Sequence, residues 1–378
     1  MWGGCCGFLG ALVKIAMIGQ KGVPATHGGV ERHVEELGAR LVDLGHEVVV
    51  FTRPGYTDAS LTEHRGMRLV SVPTVASKHL EAIVHSLLCT FRTWFGRYDI
   101  VHYHAMGPCL VAPLARLRGR AVVATIHGQD WRRGKWGRFA SAILRLSEWM
   151  ALHVPHATIS VSESLTDTYH SWGNDRVVYI PNGISVDEGD DSSILVDLGV
   201  EPGEYLLFAG RLVPEKGLHY LMEALSGLPA APMLVVAGDS SNSDEYVSRV
   251  RDDSALAVFA GFVYGPRLAA LFRHCALFVL PSDLEGLPIV LLEALAYGAP
   301  ILASDIAPNV EVLGANGSYF VAGNVGSLRE GVQRCLENLG VMRSQSLLLK
   351  EEALKTYDWD HIARETTTLY ERLLRCRV

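Results

Sequence analysis

Short runs of β-branched and other apolar residues alternate along the chain with longer stretches in which apolar residues recur every three or four positions. This is the pattern of strand–helix–strand units built around a parallel sheet. The first half supplies strands at 14–18, 47–51, 69–72, 100–103, 121–126, 157–161 and 177–180. Between the first two, Val30, Val34, Leu37, Leu41 and Leu44 form one apolar helical stripe, and Gly45 closes that helix with a residue that tolerates a left-handed cap. A second series follows at 206–209, 233–237, 258–260, 277–280, 301–303 and 319–321. The stretch between the two series, 186–203, is rich in Asp, Glu, Ser and Gly and reads as an interdomain linker. The fold class expected is α/β, with two doubly wound, Rossmann-like domains whose carboxyl strand ends face across a shared cleft. A final helix, 358–374, carries Ile362, Leu369, Tyr370, Leu373 and Leu374 on one side and needs a surface to cover.

Composition narrows this picture. The 378 residues suffice for two cores, and a formal charge of −7 argues against a nucleic-acid binder, which needs clustered Lys and Arg to neutralise phosphates. The seven cysteines are scattered with no C-x-x-C pair, so neither a disulfide framework nor a structural zinc site is expected, and a cytoplasmic location is. Residues 1–13 are apolar but lack a basic start and a cleavage signal, and read as a disordered extension. One basic stretch stands out: Arg116, Arg118, Arg120, Arg132, Arg133, Lys135, Arg138 and Arg145, interleaved with Trp131, Trp136, Phe139 and Trp149. It reads either as a solvated helix face or as a peripheral contact with an anionic membrane, at the inner face of the cell membrane.

The chemistry is concentrated in four places. After the strand at 277–280 comes a turn holding Glu285, Gly286, Leu287 and Pro288, then a helix whose one charge is Glu293. Free backbone N–H groups at such a helix start make an anion site, and Pro288 loses nothing there. A carboxylate in the apolar surroundings of Glu293 requires dedicated hydrogen bonds, either from a structural partner or from the two hydroxyls of a ribose. Glu285 is either a plain helix-start acid or a group that orients sugar hydroxyls. The stretch Gly210–Gly217 follows the strand at 206–209 and offers Arg211 and Lys216, a planar fork and a mobile point charge, near a helix start where a lysine is misplaced unless an anion accompanies it. A diphosphate is one such anion; a surface ion pair is the bland alternative. Gly28 and Gly29 open the first helix and let a ligand approach the backbone, although they do not form the G-x-G-x-x-G of a dinucleotide oxidoreductase. His127 ends a strand and points to the cleft, whereas His102 reads as a core residue. With His104 these histidines lack convincing ligand spacing, so no metal is expected.

Together these motifs resemble family 4 of the retaining GT-B glycosyltransferases, and the likeness spans Lys14 to Leu374. Glu285 and Glu293 match the E-x7-E signature, Gly210–Gly217 looks like the G-R-x-x-x-x-K-G phosphate segment, and Gly28-Gly29-Val30-Glu31 resembles the glycine loop of the first domain. The segment at Asp358-Trp359 resembles a helix that crosses back onto the first domain. The resemblance therefore implies an acceptor-side domain of 14–185 plus 357–378 and a nucleotide-sugar-binding domain of 204–356. It further implies Arg211 and Lys216 on the donor diphosphate of a UDP- or GDP-sugar, and Glu293 on the ribose. Glu285, Gly286, Leu287 and Pro288 would hold the transferred sugar, with His127 beside it. Retention of configuration follows from the same resemblance, with no metal and no cofactor beyond the donor; the acceptor is an unknown glycan or a lipid-linked, cell-envelope one. An epimerase or phosphorylase of the same frame, or a non-catalytic nucleotide-sugar binding protein, are the rival readings.

Overall fold

The structure is a computed structural model that describes residues 12–25, 28–75, 80–132, 137–239, 244–252 and 256–376. Eight strands form the first sheet: β1 (Lys14–Ile18), β2 (Glu47–Thr52), β3 (Glu63–His64), β4 (Met67–Ser71), β5 (Ile100–His104), β6 (Ala121–Ile126), β7 (Ala157–Ser160) and β8 (Val177–Tyr179). Their order is β3-β4-β2-β1-β5-β6-β7-β8, parallel except for the β3–β4 pair. The second sheet is parallel throughout, in the order β11-β10-β9-β12-β13-β14, from β9 (Tyr205–Ala209), β10 (Met233–Ala237), β11 (Ala257–Gly261), β12 (Leu277–Leu280), β13 (Ile301–Ser304) and β14 (Tyr319–Phe320). Central strands such as β5, β6 and β9 are buried at every position, because helices cover both faces of each sheet. In each sheet the order reverses beside the first strand, between β1 and β5 and between β9 and β12, and open α/β sheets leave a ligand crevice at such points.

The Gly29–Asp43 helix lays Val34, Leu37 and Leu41 on the first sheet as the periodicity requires. Its opposite side is not solvated: Glu35 accepts from His64 Nε2 at 2.7 Å and Glu36 from Arg40 and Arg65, because the short β3–β4 hairpin, absent from the sequence reading, folds against the helix. Gly38 makes this approach tolerable, since a Cβ there would strike the Met67 sulfur. At the other end of the chain, the Trp359–Arg375 helix returns to the first sheet and buries Trp359, Ile362, Ala363, Leu369 and Tyr370 in that core. The outgoing and returning chain segments run side by side, with Ile184 N donating to Tyr357 O at 2.7 Å and Trp359 Nε1 to Ser185 Oγ at 3.1 Å. Gly183 is fixed by this crossing, because a side chain there would enter the Trp359 ring.

One stretch differs from the sequence reading, and another lies largely outside the described residues. The stretch 186–203 is not a bare linker: it folds into a helix, Ser193–Leu198, that buries Ile194 and Leu195 in the second core. The expected disordered extension, 1–13, lies outside the described residues except for Leu12 and Val13; Val13 is packed into the first core, and its carbonyl accepts from Glu47 N. No helix among the described residues is long and apolar enough to cross a membrane.

Candidate active site

The loops after β9 and β12 form one corner of the second wall of the cleft. The turn Pro214–Lys216 ends at Gly217, held at φ +70° against the Pro281 carbonyl, where a Cβ would collide. Asp283 N donates to Glu215 O at 2.9 Å, which ties the two loops together. Lys216 Nζ then reaches Glu285 Oε1 at 2.5 Å, with both side chains largely buried. The anion that the sequence demanded beside Lys216 is thus, in the protein itself, the Glu285 carboxylate. Arg211 occupies the start of the same loop, beside Gly210, whose carbonyl is approached so closely by Gly238 that a Cβ there would collide.

Glu293 lies one turn into the Ile289–Ala296 helix, surrounded by buried Leu291, Leu292, Ala294 and Leu295. The structural partner considered for it is not found among the described residues, where it makes no hydrogen bond. Loss of solvent pushes its pKa up to about 7, a shift that the charge of Arg32 on the opposite wall partly offsets. A carboxylate held in this way is poised to accept hydrogen bonds from a ligand.

The first wall meets this corner directly. A Cβ on Gly286 would collide with the His127 carbonyl oxygen, and Gly128, at φ +140°, faces the Gly286 backbone. Gly28 caps the Gly29–Asp43 helix at φ +139°, and Gly29 packs so close to Ile289 that a Cβ would lie 3.3 Å from its Cδ1. Two helix N-termini therefore face each other across the cleft, each with the partial positive charge of its unpaired amides. Glu31 holds the loop in front of them by accepting from Lys21 N at 2.9 Å, and Glu35 does so from Ala25 N at 2.8 Å. Asn182 bridges the walls: its Nδ2 donates to Leu287 O at 3.3 Å, and its Oδ1 meets His33 Nδ1 at 2.8 Å.

The structure brings Glu285, Gly286, Leu287, Pro288, Glu293, Lys216, Gly28, Gly29 and His127 to one cleft, with Arg211 on the loop of Lys216. His127 sits at the end of β6, with its Nε2 buried and its pKa lowered well below the ordinary histidine range by loss of solvent and by His33 and His102. His102 is a core residue as expected: Nδ1 meets Tyr370 Oη at 2.7 Å and Nε2 meets Thr125 Oγ1 at 2.7 Å. The histidine that the sequence reading passed over is His33. It is buried, shares a helical face with Gly29 and Leu37, and packs its ring 4.7 Å from that of His127. Its spacing from those two residues was the available signal.

The basic stretch divides. Arg116 donates to Val154 O at 2.7 Å, and Arg120 donates to Tyr98 O and Gly96 O, so these two staple loops. Glu148 is buried and accepts from Gln129, Trp131 and Tyr169. Arg118, Arg138 and Arg145 are exposed, as are Leu117, Leu146 and Trp149, and Arg145 stacks 4.6 Å from the Trp131 ring. Arg133, Lys135 and Trp136 lie outside the described residues, as does His27.

Comparison with known proteins agrees with this architecture. Residues 27–188 match the family model Glycosyltransferase Family 4, and residues 196–346 match Glycosyl transferases group 1. An uncharacterized glycosyltransferase of Methanocaldococcus jannaschii is 30% identical over 387 residues, covering 95% of this chain and 98% of that protein. Among solved structures, a sucrose-phosphate synthase from Thermosynechococcus elongatus superposes with a TM-score of 0.81 at 21% identity, covering 96% of this chain and 100% of that one. The Anabaena protein HepE, in complex with UDP and glucose, superposes with a TM-score of 0.79 at 20% identity, covering 95% of this chain and 100% of the other.

Proposed function

Because the chain belongs to the family 4 glycosyltransferases of GT-B fold, we propose that it transfers a sugar, with retention of configuration, from a UDP- or GDP-sugar held on the second wall to an acceptor held on the first. The observation that carries this reading is the meeting of two helix N-termini, Gly29 against Ile289, beside the Lys216–Glu285 pair. Amides and a cation directed at one point suit a diphosphate. In this reading Arg211 and Lys216 neutralise the leaving diphosphate, which needs no metal for that purpose. Donor arrival transfers Lys216 from Glu285 to phosphate and frees the Glu285 carboxylate to orient hydroxyls of the sugar. Glu293 accepts the two ribose hydroxyls and so gains the hydrogen bonds that the described residues do not give it. His127, on the facing wall, adjoins the transferred sugar, and the Gly286–Gly128 contact shuts the site against water.

That HepE is described with UDP and glucose supports a UDP-sugar over a GDP-sugar. The exposed Arg118, Arg138 and Arg145 with Leu117, Leu146 and Trp149 favour an acceptor presented at an anionic membrane, lipid-linked or part of a cell-envelope glycan. Flotation with anionic liposomes, lost in an Arg118→Glu/Arg145→Glu variant, checks this last element.

The first experiment is a thermal-shift panel of UDP-, GDP-, ADP- and dTDP-sugars on the wild type and Glu293→Ala. A shift with one nucleotide that disappears in the variant is the expected result. A shift undiminished in the variant removes Glu293 from the donor site, and no shift with any of them removes the donor reading. Tight donor binding without turnover on a broad acceptor panel would make the chain a binding protein instead.

A further inference from the structure

Beneath the Glu285–Leu287 loop, three histidines from three elements converge: His33 from the Gly29–Asp43 helix, His104 from the end of β5 and His127 from just beyond β6. Each offers a ring nitrogen, and these nitrogens lie within 4.8 Å of one another. His33 Nε2, both nitrogens of His104 and His127 Nε2 are buried without a hydrogen-bond partner among the described residues. A buried polar atom without a partner is costly and calls for a ligand or ion to satisfy it. Four in one place, in a core that otherwise pairs its histidines, mark a built feature. His102, with its ring centre 4.2 Å from that of His104, shows the contrast, because Tyr370 and Thr125 occupy both its nitrogens.

The orientation of His33 is set from behind. Asn182 Nδ2 is committed to the Leu287 carbonyl, which leaves Oδ1 to accept from His33 Nδ1–H. The Nε2 lone pair then points into the cluster. A metal-bound imidazole is held in this manner, with its other N–H donating to a carbonyl oxygen. The ring spacing also fits. A tetrahedral ion bonded at about 2.1 Å places its nitrogens about 3.4 Å apart and the ring centres about 5.2 Å apart. Here the centres are 4.7 Å apart for His33 and His127, 5.4 Å for His33 and His104, and 6.0 Å for His104 and His127. Ring rotations that move each nitrogen by up to about 0.7 Å bring the nitrogen spacing from at most 4.8 Å to about 3.4 Å and close the site.

We propose that His33, His104 and His127 form a binding site for an imidazole-seeking dication of the zinc type, and that its occupation competes with the transferred sugar. Three neutral imidazoles with a fourth position left open make a preferred zinc environment. The competition rests on the placement of His127 at the sugar through this same Nε2, because one nitrogen cannot serve both; the binding of the ion does not depend on that placement. Metal-independent transfer and metal inhibition are then properties of the same pocket.

The test titrates the full-length, metal-stripped protein with Co2+ and follows its ligand-field absorption, with Zn2+ displacement read by calorimetry. One equivalent should bind and produce a tetrahedral or five-coordinate spectrum. His104→Phe and His33→Gln, each checked for an unaltered melting transition, should lose at least about tenfold in affinity, as removal of one ligand requires. Absence of uptake, or uptake unchanged in both variants, overturns the site. In the second arm, Zn2+ should weaken donor binding and the donor should weaken Zn2+ binding by the same factor. Stoichiometric uptake that leaves donor affinity untouched would overturn the competition, and with it the placement of His127 at the sugar, while the three ligands stand.

Discussion

The two walls of the cleft differ in how they handle charge. On the second wall the loops after β9 and β12 hold charges that neutralise one another, Lys216 against Glu285, with Glu293 a turn away and pushed towards neutrality by burial. On the first wall the groups at the strand ends are uncharged histidines, their pKa values lowered by loss of solvent, next to glycines that bring backbone to the surface. The first wall can therefore sit against the second without an electrostatic penalty, whereas the second has charges that a ligand must take over. An asymmetric pair of this kind suits a reaction in which one partner carries a charged leaving group and the other brings a neutral hydroxyl.

The comparison breaks most sharply at Lys216. Lys216→Ala removes the cation and strands Glu285, and kcat/KM for sugar transfer should fall by about 10²–10³. Release of nucleoside diphosphate in a coupled assay reads this directly, and wild-type turnover would show that the second wall does not neutralise a leaving group. Gly286→Ala tests whether the walls must touch. The added Cβ meets the His127 carbonyl, so the cleft should stop closing and kcat/KM should drop by about 10². Small-angle scattering should show a more open particle, because the clash lies between the two walls.

Glu293 supplies a pH test. Its folded-state pKa of about 7 lies above the ordinary 4.5, so the folded protein holds an extra proton between those values, and the stability due to that proton is lost as pH rises through about 7. Glu293→Gln should therefore gain on the order of 3 kcal/mol over the wild type at pH 8 and little below pH 4.5, as 7 − 4.5 at about 1.4 kcal/mol per unit implies. Denaturant titrations at both ends of that window measure the gain. The smallest effect is expected at Glu311, which reaches across from the Ala307–Leu313 helix and accepts from the amides of Glu163 and Ser164 at 2.8 and 3.1 Å. Glu311→Ala uncaps the Glu163–Ser171 helix and should lower stability by about 1 kcal/mol without altering donor affinity.

Much of this molecule was legible from local pattern. The parallel strands were readable because buried strands must be continuously apolar, and the Gly29–Asp43 helix because its stripe has to match the sheet. The β3–β4 hairpin escaped because two-residue β3 carries no periodicity, and the Ser193–Leu198 helix because its acidic setting hid the two apolar residues that anchor it. Glu285, Lys216, Glu293 and the glycines were readable one by one, each from the conflict between its chemistry and its position at a helix start or in an apolar run.

The sequence by itself determined which backbone segments are strands and helices and which side chains are out of place unless a ligand or a partner attends them. Those are consequences of neighbours a few residues away. Only the tertiary structure decided that the partner of Lys216 is Glu285, that Glu293 finds no partner of its own among the described residues, and that His33 rather than His102 joins His104 and His127. Such pairings depend on which strand ends lie side by side and on how closely Gly128 and Gly286 let the walls approach. That information resides in the order of the strands and the packing between them, where contacts join residues from distant parts of the chain.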